Sequence, residues 1–562
     1  MPVRTGAQHL IDALAVNGVE RIFGVPGESF LAALDALSEA DIPFIQCRHE
    51  AGAANMAEAH GKLTGRPGVC FVTRGPGATQ AAVGVHTALQ DSTPMILLVG
   101  QVRREDEGRE AFQELDYAQA FAGIAKAAFE IRDPARVPEQ IMRAFSLAMN
   151  GRPGPVVVGL PEDMLTEDAD APAPAPFVPA RSELGAATAA EIAARVDAAE
   201  RPILMVGGPF WNAEERKAIV EFAEAFNCAV VTSFRVKHLI DNAHSHYGGE
   251  AGIGACPAVV ETLRQSDCIL AIGPRLGEMT TQSYDLFDVP EGVADRLIHI
   301  HPGGEETSRV YRPSLSATAH PGGAMRAIAE AGAAKNAVAR TDWVKTARAA
   351  YDAWIEPVEV TGDVNPSRIW RETSAKLGGE AIMTNGAGNF AAWLHRFWVH
   401  RCCPSQLAPT SGAMGYGLPA AIAGKLQHPE KPVIAVCGDG DFMMAAPELA
   451  TAVQHGANIV VCVFDNGSYG TIRMHQENHY PGRVSGTNLS NPDFKMLAEA
   501  CGCAGFFVDR TEDFAPALEA ALNAGRPALI HVKQSLVDIA PGKTIEVGQG
   551  VGSRDAEAPS PP

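Results

Sequence analysis

Apolar runs of strand length alternate with stretches of helical spacing from the start of the chain. The runs are Ile22–Phe23, Phe44–Gln46, Val69–Thr73 and Met95–Val99. Between them, Phe30–Ser38, Ala51–Thr64 and Ala78–Gln90 place apolar residues at helical intervals among good helix formers. Strands that are apolar throughout and separated by helices predict a parallel sheet covered on both faces. The alternation breaks at Thr166–Ala180 (TEDADAPAPAPFVPA), where closely spaced prolines predict a linker without regular structure. It resumes at Pro202–Gly207, with further strands expected at Ala229–Thr232, Cys268–Ile272 and Leu297–His301, and stops before a polar, helix-prone connector at Lys335–Trp354. A third series follows: Ala381–Asn385, Val433–Cys437, Ile459–Phe464 and Ala528–Val532. The expected fold class is α/β, three consecutive doubly wound parallel-sheet domains over residues 1–168, 188–332 and 364–540. A disordered tail is expected over 541–562, Gly/Ser/Pro-rich from Glu546 onward. Such folds host many activities and by themselves name none.

Composition narrows the partners. The chain has 562 residues, more than one core organises, with 46% hydrophobic and 20% charged residues. A formal net charge of −20 repels phosphate backbones and anionic lipid, so neither nucleic acid nor a membrane is an expected partner. An anionic ligand remains compatible, because a metal ion reverses the field locally. No apolar run approaches the ~20 residues of a membrane span. Met1–Leu10 lacks a basic segment followed by an apolar run, so no signal peptide is expected. The eleven cysteines, with Cys402–Cys403 and Cys501/Cys503 the closest pairs, lack zinc-ligand spacing. They fit a reducing, cytoplasmic setting.

The most informative stretch is Lys431–Gly470, KPVIAVCGDGDFMMAAPELATAVQHGANIVVCVFDNGSYG. An apolar strand ends at Gly438-Asp439-Gly440, a helix follows with Pro447 suited to its first turn and Gly456 to its end, and a second strand ends at Asp465-Asn466-Gly467. In a right-handed βαβ unit both strand ends lie at one sheet edge, which brings Asp439 and Asn466 together across 27 positions. A carboxylate and an amide oxygen suit magnesium, with phosphate oxygens completing its shell. The glycines admit a phosphate close to the backbone, and a helix N-terminus favours its charge. GDG or NG alone would read as turns after strands.

GDG followed by 25 residues and Asn resembles the signature of thiamine-diphosphate-dependent enzymes. The resemblance implies Asp439 and Asn466 as magnesium ligands through their side chains, with a backbone carbonyl near Ser468 as a third. Gly438, Gly440, Asp441, Tyr469 and Gly470 would border the diphosphate, as would Gly388 and Asn389 in TNGAGNF. Ser411–Pro419 (SGAMGYGLP) looks like the pocket element in which the Gly412 carbonyl meets the aminopyrimidine and Met414 supports the bend between the rings. The chemistry also needs an acid on the far side of the pyrimidine. Glu50 ends the segment after Phe44–Gln46 and opens a helix; by position alone it would be an ordinary first-turn carboxylate.

The surroundings of Glu50 (RHEAGAANMAE), FGVPG with Pro26 and Gly27, TRGPGAT with Thr73 and Pro76, and GRPGPVVVGLPEDM are similar to the acetolactate synthase (acetohydroxyacid synthase) family across nearly the whole chain. That resemblance implies pyrimidine-binding, central Rossmann-like and diphosphate-binding domains. It implies a homodimer or homotetramer in which Glu50 of one chain serves the GDG site of another. It also implies a carboligase (transferase) reaction, in which a 2-oxo acid such as pyruvate loses CO2 and the remainder joins a second carbonyl compound. In AFQE, Phe112 and Gln113 would border the donor pocket, with Lys126 near its entrance. The adjacent histidine pair of aldehyde-releasing decarboxylases is absent. Two features depart from the family. His475 stands where it carries Trp, and in GPRLGEMTT Arg275 is kept while Met279 replaces a second arginine. An acceptor without a carboxylate, or a different donor, is compatible with both. FAD-containing members hold FAD with this segment, but Gly207–Gly208 and Gly249–Gly254 are generic turns and do not specify it. The alternatives are a 2-oxo acid decarboxylase or C–C lyase on the same cofactor and a non-catalytic paralogue. An NAD dehydrogenase lacks its G-x-G-x-x-G fingerprint.

Overall fold

The computed structural model describes residues 4–332, 335 and 337–546. They contain three six-stranded sheets in which every neighbouring pair of strands is parallel. With strands numbered in chain order within each sheet, the first runs 2-1-3-4-6-5: Phe44–Gln46, Ile22–Gly24, Gly68–Val72, Met95–Gln101, Pro155–Pro161, Ala127–Glu130. The third repeats that order as Gln406–Leu407, Ile382–Asn385, Val433–Gly438, Val460–Asp465, Ala528–Lys533, Ala504–Val508. The middle sheet runs 3-2-1-4-5-6, the dinucleotide-fold order: Tyr247–Glu250, Ala229–Thr232, Pro202–Val206, Cys268–Ile272, Leu297–His301, Leu315–Thr318. Open sheets of this kind bind ligands where the strand order reverses, beyond the carboxyl ends of the strands.

Three segments differ from expectation. The stretch Thr166–Ala180 is not wholly irregular, because Asp168–Ala169 pairs antiparallel with Arg4–Thr5. Pairing stops before Pro172, Pro174 and Pro176, which have no N–H to donate. The connector at 335–354 contains helix Thr341–Trp354, which belongs to the middle core: Val344, Ala347 and Tyr351 are buried, and Tyr351 meets Tyr247 edge-on at 4.9 Å. Buried Arg340 anchors its start by donating to the carbonyls of Phe226, Val196, Asp197 and Ala199. Of the proposed tail, residues 541–546 pack back on the domain through the Ile545 N–H to the Val537 carbonyl; 547–562 lie outside the described residues.

One seam joins the first and third domains. Helix Glu50–Thr64 starts where the His49 ring accepts from the Ala51 N–H and ends at Gly65, whose φ of 66° supplies the left-handed cap. It packs on helix Gly417–Gln427; Ala53, Ala54 and Ala57 share one core with Ala420, Ala421 and Ala423. A buried polar network crosses the seam. The Tyr416 hydroxyl and Thr93 donate to Glu58 at 2.6 and 2.7 Å, and Lys62 lies 3.1 Å from Glu58 and also pairs with Asp91. Asp91 accepts from the Thr410 N–H at 2.8 Å. Burial raises the Glu58 carboxyl, and burial also opposes the Lys62 charge, but Asp91 and Glu58 outweigh that and raise its pKa. Removing the cation leaves two buried acids unpaired. Lys62→Met is expected to cost about 3–5 kcal/mol, read as a lower urea midpoint. Lys217→Met, which breaks an exposed pair with Glu214, is expected to leave that midpoint nearly unchanged.

Candidate active site

The switch point of the third sheet lies between Ile382–Asn385 and Val433–Gly438, whose outgoing loops carry Gly386–Asn389 and Asp439–Asp441. Val460–Asp465 runs parallel beside Val433–Gly438 with Phe464 opposite Gly438, so Asn466 leaves the sheet beside Asp439. The segment between them is two helices rather than the single one expected, Asp439–Met443 and Glu448–Gln454. Pro447 caps the second, since it has no N–H with which to continue the first.

A cleft of about 210 Å³ opens at this edge. Its walls include every third-domain residue singled out from the sequence: Gly388, Asn389, Gly412, Met414, Gly438, Asp439, Gly440, Asp441, Asn466, Ser468, Tyr469 and Gly470. Two helices, Asn389–Phe397 and Gly470–His479, begin on its wall, and Thr471 ties their starts by bonding both the N–H and the side-chain oxygen of Asn389 at 3.0 Å. Two helix starts on one wall, with their positive dipole ends toward the cleft, make a site suited to a diphosphate. Asp439 Oδ1 accepts from the Gly440 N–H at 3.0 Å and Oδ2 from Asn491 Nδ2 at 2.7 Å. Burial pushes its carboxyl up. Among the described residues Asn466 Oδ1 accepts from the Ser468 N–H alone, 3.0 Å away, which leaves a lone pair for a cation.

Two further acids shape the cleft. Asp465 works against burial through bonds from His531 and Lys533 at 2.9 and 2.6 Å, which hold it well below the usual carboxylate range. Asp441 is buried beside the Cys437 thiol, and its Oδ1 accepts from the Gly415 and Ala387 N–H groups at 2.9 and 3.2 Å. Burial pushes this carboxyl up to about 7. A Cβ at Gly386 would overlap it.

The first-domain residues gather at the switch point of their own sheet. Pro26 and Gly27 leave Ile22–Gly24, and Thr73 and Pro76 follow Gly68–Val72. Ser29 and Thr73 hydroxyls lie 3.1 Å apart. Glu50 Oε1 is 3.6 Å from where a Cβ on Gly77 would stand, and the Gln113 carbonyl accepts from the Gly75 N–H at 2.9 Å, with Gln113 at φ 66° and Phe112 exposed. None of these lines the third-domain cleft of the same chain. Lys126 does not join them. It precedes Ala127–Glu130, at the opposite edge of the parallel sheet, and its ammonium donates to the Asn150 and Arg152 carbonyls at 2.6 and 2.7 Å. His475 is exposed and stacked on His479, while Ile472 of the same helix reaches the cleft. Arg275 is held by Glu306 at 3.0 Å and the Gln90 carbonyl at 2.9 Å. It lines a larger cavity of about 410 Å³ at the meeting of the three domains, with Lys62, Phe210, Arg216 and Met279. Sequence reasoning missed Asn491 and Asp465 as supports of Asp439. Asp465 directly precedes Asn466, but Asn491 follows no spacing rule.

Three family models match the chain: the N-terminal TPP binding domain of thiamine pyrophosphate enzymes at residues 4–120, the central domain at 189–328, and the C-terminal TPP binding domain at 386–532. The chain is 31% identical to a probable acetolactate synthase large subunit of Methanocaldococcus jannaschii, over 94% of this chain and 91% of that one. This chain belongs to the acetolactate synthase-like thiamine pyrophosphate enzymes. The acetolactate synthase large subunit of Corynebacterium glutamicum is also 31% identical, over 94% and 86% of the two chains. Isozyme 2 of Escherichia coli is 29% identical over 94% and 95%. The matched N-terminal segment includes Glu50, and the C-terminal one includes Asp439 and Asn466. Among the described residues, no helix is long and apolar enough to cross a membrane. Gly386→Ala is expected to weaken thiamine diphosphate binding by roughly ten- to hundredfold, since forcing a methyl into packed atoms costs about 1–3 kcal/mol. A fluorescence titration with far-UV circular dichroism on the same sample checks both affinity and fold.

Proposed function

We propose that this chain is a magnesium-dependent carboligase that decarboxylates a pyruvate-like 2-oxo acid and joins the remainder to a second carbonyl compound. The observation that carries the reading is the separation of two matched half-sites. The Asp439 cleft is walled by third-domain residues alone, and Glu50, in the first domain, does not line it. A homodimer, or a homotetramer built from such dimers, would complete each site by bringing Glu50 of one chain to the cleft of the other.

Within that site Asp439, Asn466 and the Ser468 carbonyl hold Mg2+. Among the described residues no three His, Cys, Asp or Glu side chains converge as a metal cage, which fits an ion whose remaining ligands are phosphate oxygens and water. Gly388, Asn389, Tyr469 and Gly470 would present the two helix starts to the diphosphate, and the buried Asp441 carboxyl, pushed up to about 7, lines the same wall. Gly438 and Gly440 let the backbone come close. The Gly412 carbonyl and Glu50 would hydrogen-bond the aminopyrimidine, Met414 would support the bound cofactor, and Pro26, Gly27, Thr73 and Pro76 would border its pyrimidine. Thiamine diphosphate, once bound, supplies the nucleophilic carbon and the electron sink that permits CO2 loss. Gln113 orients the acceptor and hydrogen-bonds its oxygen as charge develops, and Phe112 screens the donor from water. Lys126 is structural here. Arg275 is engaged with Glu306, and Met279 offers no charge, so the acceptor needs no carboxylate. The larger cavity, with Arg216 and the Phe210 ring on its wall, is a candidate place for FAD; a flavin absorbance in the purified protein would support that occupancy.

Incubation with pyruvate, Mg2+ and thiamine diphosphate, followed by NMR, is expected to show CO2 loss and a carbon–carbon bonded product; aldehyde alone overturns carboligation in favour of a decarboxylase. Glu50→Gln is expected to lower turnover by about 100-fold or more. EDTA-stripped protein is expected to be inactive until Mg2+ is restored.

A further inference from the structure

Glu448 is 1% exposed at the first position of helix Glu448–Gln454, nine residues after Asp439, yet it does not line the cleft. Its carboxylate faces the first domain of the same chain. Oε1 accepts from the His49 N–H at 2.9 Å and the Arg48 N–H at 3.2 Å, and Oε2 accepts from the Thr451 hydroxyl at 2.6 Å. The Arg48–His49 peptide leads directly into Glu50. Gln454, on the same helix, adds a grip on that strand end: it donates to Gln46 Oε1 at 3.0 Å and accepts from Arg48 Nη2 at 2.7 Å. On the other side, a Cβ at Gly52 would overlap the Glu448 carboxylate, so only glycine lets the acid seat against the first turn of helix Glu50–Thr64. A buried carboxylate accepting two backbone N–H groups at the positive end of a helix is a strong, directional contact.

We propose that Glu448 is a positioning residue for Glu50: by holding the Arg48–His49 peptide it fixes the direction in which the Glu50 carboxyl leaves its helix. This rests on the reading of Glu50 as the acid that meets the aminopyrimidine. Glu448 itself touches neither cofactor nor substrate.

The test uses Glu448→Gln, which keeps the volume but turns an NH2 group toward the backbone donors, and Glu448→Ala. In full-length protein without cofactor, amide hydrogen exchange at residues 48–52 is expected to rise by about tenfold or more, while helix Gly417–Gln427 stays protected. In the loaded enzyme kcat is expected to fall by roughly 100-fold with KM for the 2-oxo acid nearly unchanged. Glu448→Ala is expected to add almost nothing to Glu50→Gln in the double variant, because both remove one function. Unchanged exchange at 48–52, or losses that multiply in the double variant, overturns the proposal. Full turnover in Glu50→Gln alone instead overturns the assignment of Glu50, a result that the exchange data keep separate from the role of Glu448.

Discussion

Two helices made largely of small residues, Glu50–Thr64 and Gly417–Gln427, lie so close that the rest of the chain is arranged around their contact. Alanines and glycines bring the backbones together, and both helices are buried over most of their length. The seam then encloses Glu58, Lys62 and Asp91, whose desolvation is offset only because each charge has a partner and the remaining lone pairs meet Tyr416, Thr93 and Thr410. With the first and third domains locked there, Glu50 is held at its own sheet edge rather than over the chain's own cleft. The half-site geometry is a consequence of that packing.

The cleft also resolves an electrostatic conflict. A chain with a net charge of −20 is a poor general host for a pyrophosphate. Here the local field is set by two helix starts, by an acid at 441 that burial keeps near neutrality, and by the tying of Asp465 to His531 and Lys533. Asp439 and Asn466 keep oxygen lone pairs available for a divalent ion.

Much of this was legible in the sequence for identifiable reasons. Strands buried on both faces are continuous apolar runs, so Ala229–Thr232, Cys268–Ile272 and Leu297–His301 fall where the pattern puts them. Asp439 and Asn466 were found because a βαβ unit turns a fixed spacing into proximity. The misses have a shared cause. Asp168–Ala169 forms a strand because Arg4–Thr5 is there to pair, and helix Thr341–Trp354 is half-buried because Tyr247 is there to meet it; local composition reports neither partner. Lys126 donates to the Asn150 and Arg152 carbonyls of its own chain, partners that its neighbouring letters do not report. Asn491 and Glu448 act across 52 and 399 positions, with no local motif to mark them.

The packing of helix Glu50–Thr64 inside its own domain has a bearing on how such a protein can change. A methyl added at Gly84 would stand 2.5 Å from the Ala54 Cβ, and one at Gly68 would overlap the Ala57 carbonyl. Any enlargement there must move main chain, and with it the frame that carries both half-sites. Phe112, 73% exposed, and Ile472, 54% exposed, sit on segments that can exchange side chains without disturbing that frame. Adaptability is therefore confined to the rim. New substrate preferences can be acquired by altering what surrounds the opening, while the rigid foundation that aligns the reactive groups passes unchanged from one chemistry to the next.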